Sequence, residues 1–122
     1  MSSQTIPCVV LGKHRQIAEP IAVQLGKHNY AVNAVLDEVN YSPENLGVVL
    51  RTLRRRPQVL IVGEGFTDKE VEDGISVWEK YVEDVGVADT ALARVPVGSL
   101  QKIGPEGIIS WFIEELDKTY KK

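Results

Sequence analysis

Along this chain the apolar positions alternate between short unbroken runs and stripes that recur every third or fourth residue, the patterns of strand and helix. The run "IPCVVLG" at 6–12 is rich in β-branched residues and closed by Gly12, which predicts a buried first strand. Ile17, Ile21 and Leu25 then recur at helical spacing, with Ala18 and Ala22 beside them and Gly26 following as the expected C-cap. Pro20 interrupts that stripe. Proline is comfortable only in a first turn, so the pattern predicts either a helix beginning near Glu19 or a separate irregular turn over 14–18.

"YAVNAVLDEV" at 30–39 alternates as a strand does, and Asn33 in its middle places one edge or face in water. Ser42 as N-cap and Pro43 at the first helical position open a second helix carrying Leu46, Val49, Leu50 and Leu53 on one side. The most uniformly apolar run, Val59 to Val62 within "PQVLIVGEGF" (57–66), predicts a central strand covered on both faces and closed by Gly63 and Gly65. Thr67 and Glu70 form a capping-box pattern ahead of Val71, Ile75, Trp78 and Val82, and Gly86 is the expected end of that third helix. "ALARVPVG" at 91–98 carries Arg94 and Pro96, which suits an edge strand. Pro105 in a first turn, then Ile109, Phe112, Ile113, Leu116 and Tyr120, predict a closing helix.

The resulting order βαβαβαβα predicts a three-layer α/β sandwich with a parallel sheet and helices on both faces. Putting the polar strands two and four at the rims gives spatial order 2-1-3-4, a flavodoxin-like arrangement. The Rossmann-like alternative, 3-2-1-4, would leave the most apolar strand at an edge.

With 122 residues, 43% hydrophobic and 25% charged, residues 1–122 are expected to form one domain. No apolar run approaches the length of a bilayer span, and "MSSQTIPCVV" lacks a secretory pattern, so a cytoplasmic location is the expectation. A single cysteine, Cys8, and two histidines argue against a disulfide or a metal site. A net charge of −3 argues against nucleic acid or anionic lipid as partner. The local exception is "RTLRRRP". Arg51, Arg54, Arg55 and Arg56 close a helical stripe, where cations complement the last carbonyls, and no aromatics interleave with them.

In an open parallel sheet ligands bind beyond the carboxyl ends of the strands, where neighbouring strands send their helices to opposite faces. In order 2-1-3-4 that point lies between strands one and three, so the loops "GKHRQ" (12–16) and "GEGFT" (63–67) should meet there. Gly12, Gly63 and Gly65 permit close approach or positive φ, while Lys13, His14 and Arg15 offer charged donors to a small anionic ligand. Glu64 would offset part of that charge, and Thr67 would contribute a hydroxyl unless used as a cap. His14 is the acid–base candidate, because imidazole is the side chain that exchanges protons nearest neutral pH. No nucleophile is apparent, which leaves open whether the protein is an enzyme. Cys8 lies inside its strand and reads as a core residue.

No cofactor is specified by the pattern. "GKHRQIA" keeps only the first glycine of a dinucleotide fingerprint, although Asp37 stands where a ribose-binding acid would, so a degenerate nucleotide site is a minority reading. Gly12-Lys13 and Gly63-Glu64 occupy the places where a phosphoacceptor site would need acids. The competing class is a non-catalytic homo-oligomerisation or protein-interaction module. It would use Trp78, Tyr81, Trp111 and Phe112 if these formed an exposed patch, with Trp111 facing outward. Leu-Gly-Lys-His occurs at 11–14 and again at 25–28. The first copy falls at the predicted switch point and the second in a helix-to-strand connection, so they are read as two unrelated uses.

Overall fold

A computed structural model describes residues 5–121; residues 1–4, which enter the leader-peptide reading, and residue 122 lie outside it. Its elements are β1 (Ile6–Leu11), α1 (Arg15–Gly26), β2 (Tyr30–Leu36), α2 (Pro43–Thr52), β3 (Val59–Val62), α3 (Asp68–Val85), β4 (Ala91–Arg94) and α4 (Ser99–Tyr120). The strands form one parallel sheet in the order β2-β1-β3-β4. This is the predicted flavodoxin-like α/β sandwich.

Strand alternation explains why β1 and β3 are apolar throughout. Cys8, Val10, Val59 and Ile61 face one core with Ala18, Ile21 and Leu25 of α1 and Ile108, Phe112 and Leu116 of α4. Val9, Leu11, Leu60 and Val62 face the other core, with Leu46 and Leu50 of α2 and Val71, Trp78 and Tyr81 of α3. β1 therefore sends its helix to one face and β3 to the other. The predicted switch point exists.

The polar strands lie at the rims, as expected. In β2 the register advances from Cys8↔Val32 to Val9↔Ala34, so exposed Asn33 is the extra residue of a bulge. Pro96 lies beyond β4, which ends at Arg94.

Three boundaries differ from the sequence reading. α1 is continuous from Arg15 through Pro20, so neither a start near Glu19 nor a separate turn over 14–18 occurs. Its C-cap is Lys27 in right-handed conformation, and the positive φ (73°) in the connection belongs to Asn29, not Gly26. α4 begins earlier than Pro105, with an added turn from Ser99, and breaks at Gly104 (φ 72°, ψ 174°) before continuing from Pro105. The capping box of Thr67 and Glu70 and the left-handed Gly86 at the end of α3 form as predicted. Among the described residues, no helix is long and apolar enough to cross a membrane.

Candidate functional site

The loops after β1 and β3 meet. Gly63 N–H donates to the Leu11 carbonyl at 2.9 Å, which places the end of β3 against the end of β1. Gly65 has φ 122°, and a Cβ there would lie 2.8 Å from Lys13 Cβ and 3.5 Å from His14 Cδ2. Both the backbone angle and the contact require glycine at 65. Gly12 is needed for a different reason: a Cβ would fall 2.6 Å from Ala18 Cβ, so glycine lets α1 close down on β1. Gly63 has no such constraint, its nearest neighbour for a Cβ being the Leu11 carbonyl oxygen at 3.6 Å.

Beside this junction, between the sheet and helices α1 and α4, lies a cavity of about 190 Å³. Its rim is formed by Gly12, Lys13, His14, Gly63, Glu64 and Gly65, six of the eight residues expected at a ligand site. Its wall is apolar and includes Val10, Ile17, Ile21, Ile61, Ile108 and Phe112. The sequence pattern identified most of these residues as core. It did not show that their packing leaves a space, and Leu100, which also lines it, lies in the turn of α4 that the pattern missed.

Arg15 and Thr67 are not part of this lining. The Arg15 guanidinium turns to the end of β2, where Nε donates to Asp37 Oδ2 at 2.6 Å and Nη2 to the Val35 carbonyl at 3.0 Å, with Glu19 Oε2 at 3.3 Å from Nη1. Asp37 is buried and also accepts from the amides of Val39 and Asn40. The Arg15 hydrogen bond, aided by these amides, holds the Asp37 carboxyl below the usual carboxylate range. A ribose hydroxyl would have to displace Arg15 to reach it. The Thr67 hydroxyl accepts from Glu70 N–H at 3.1 Å and is used as the cap of α3.

Glu64 has a role that short-range pattern reading missed. Its carboxylate accepts from Gly98 N–H at 2.9 Å and Leu100 N–H at 2.5 Å, capping α4 from the loop after the neighbouring strand β3. Its charge is thus directed at the amides of α4. Lys13 takes part in none of the ion pairs among the described residues. Its carbonyl accepts from Glu38 N–H at 3.1 Å, fixing the first loop to the end of β2. His14 is the N-cap of α1 and makes no side-chain capping bond, so its exposed imidazole stands at the rim.

Outside the cavity, Cys8 is buried and burial pushes its thiol up from 9.0 to about 12, so it stays neutral within β1. Of the arginine run, Arg56 donates to the Arg51 carbonyl at the end of α2, while Arg51 pairs with Asp84 of α3 at 3.0 Å and Arg55 donates to Thr5 ahead of β1. The exposed aromatic patch that the interaction reading needs does not form; the aromatics complete the core, as the helical stripes predict for Trp78 and Phe112. Trp78, Tyr81 and Phe112 are buried, and Trp111 is partly buried against the α1–α4 core, with its ring centroid 5.3 Å from that of Phe112. Helix periodicity correctly placed Phe112 inward but not its neighbour, whose large ring folds back onto the same core.

No protein-family model matches the chain, and no curated protein matches it. The functional reading rests on the geometry of the site itself.

Proposed function

We propose that the protein binds a small anionic molecule in the cavity at the β1–β3 switch point. One observation carries this reading: the two loops expected to form a ligand site meet at the mouth of a partly open, apolar-walled cavity that Lys13 lines. The position agrees with the general placement of ligands in open α/β sheets. Lys13 is the proposed anchor, while Gly12 and Gly65 let the walls approach closely. Arg15 acts on the scaffold by fixing α1 to β2. His14 is available at the rim for proton exchange, but the cavity brings no nucleophile beside it, and the proposal is one of binding.

A thermal-shift panel of inorganic phosphate, hexanoate, AMP and FMN tests this. A ligand at about one hundred times its Kd stabilises the native state by about 2.7 kcal/mol, a rise of several degrees in a domain of this size. At least one anion should raise the melting temperature of the wild type, and Lys13→Ala should remove most of that rise. A flat response to the whole panel, or a full response in Lys13→Ala, would exclude this site.

A further inference from the structure

We infer that the occupant is a compact apolar monocarboxylate, with its hydrocarbon body in the cavity and its carboxylate on Lys13. This rests on the binding reading above and deepens it to a ligand class. Three features of the cavity select that class.

The first is the contrast between wall and rim. Val10, Ile17, Ile21, Ile61, Ile108 and Phe112 present no side-chain donor or acceptor, so a polar ligand body would lose its hydration without replacement. The second is charge. Lys13 and Glu64 are the two charged lining residues, and Glu64 is directed at two amides of α4. One ammonium remains to meet one anionic group. A dianion would carry its second charge towards either the Glu64 carboxylate or the apolar wall. The third is size. Apolar cavities of roughly 150 Å³ hold a benzene-sized molecule, so the space here suits about six to nine heavy atoms. Nucleotides and flavins exceed it.

Calorimetric titration of the full chain at constant ionic strength tests this with hexanoate, hexan-1-ol and inorganic phosphate. Hexanoate should bind about tenfold or more tightly than hexan-1-ol, the difference one charge-assisted contact of about 1.4 kcal/mol makes, and about tenfold or more tightly than phosphate, which has no hydrocarbon body to bury against the apolar wall. Lys13→Met should bring hexanoate down to the level of hexan-1-ol and leave the alcohol unchanged, and Lys13→Arg should restore most of the difference. Ile17→Phe and Leu100→Phe, at two partly buried lining positions, should each weaken both apolar ligands by filling the space. Equal binding of hexanol and hexanoate would overturn the inference. Lys13-dependent binding of phosphate without hexanoate would also overturn it while leaving the anion-site reading intact. If neither these ligands nor the wider thermal panel bind, both readings fall.

Discussion

Lys13 and Glu64 line the same cavity but differ in their partners: Lys13 takes part in no ion pair among the described residues, whereas the Glu64 carboxylate is bound to the start of α4. Removing the Glu64 carboxylate leaves two amides of α4 without their acceptor. Glu64→Ala should therefore lower stability by about 1 kcal/mol, the usual cost of a lost helix cap, measured by urea denaturation. At Asp37 the effect depends on pH. Its folded-state value lies below the ordinary 3.8 because Arg15 holds the ionised form, so its contribution is present above that value and disappears as pH falls through the folded value. Asp37→Asn should be less stable than wild type at pH 7, and urea midpoints should show the gap narrowing as pH is taken below 4. A constant gap would contradict this account. The sequence placed Glu64 just after β3 and Arg15 just after β1, but not the partners of their side chains. Glu64 finds its partners 34 and 36 positions later, and Asp37 lies 22 positions from Arg15, separations over which periodicity carries no information.

At the scale of elements, local chemistry was most legible where a cap lies within one turn. Ser42 accepts from Asn45 N–H at 3.0 Å and Thr67 exchanges bonds with Glu70, both recognisable from residues three apart. α1 shows the opposite case. Pro20 is the sixth residue of a continuous helix, beyond the turn where proline is free, and packing of Ala18, Ile21 and Leu25 into the core overrides its local preference. Pro20→Ala restores the missing N–H donor at an exposed position, and should raise stability by about 1–3 kcal/mol in the same denaturation assay. A loss of stability would mean that the proline ring itself is needed. The early turn of α4 escaped prediction because its start depends on Glu64 and its break on Gly104, neither of which contributes to an apolar stripe.

For the whole molecule, the order of strands was legible because burial on both faces leaves a distinct trace: β1 and β3 are continuously apolar, while Asn33 and Arg94 mark the rims. The cavity was not legible, since it is the space left when α1 and α4 meet the sheet. The surface gives the competing interaction reading little support. Its large exposed hydrophobics are aliphatic and spread over all four helices, β4 and two loops, with Val39 (89% exposed) and Val97 (80%) the most open. The central claim is that ligand binding belongs to the junction of the loops after β1 and β3. Amide chemical-shift mapping of the ¹⁵N-labelled chain during titration with the anions of the thermal panel tests it most directly. The account predicts the largest shifts at Gly12, Lys13, His14, Gly63, Glu64, Gly65 and Leu100; shifts concentrated at Arg54–Arg56 or along β4, or none at all, would contradict it.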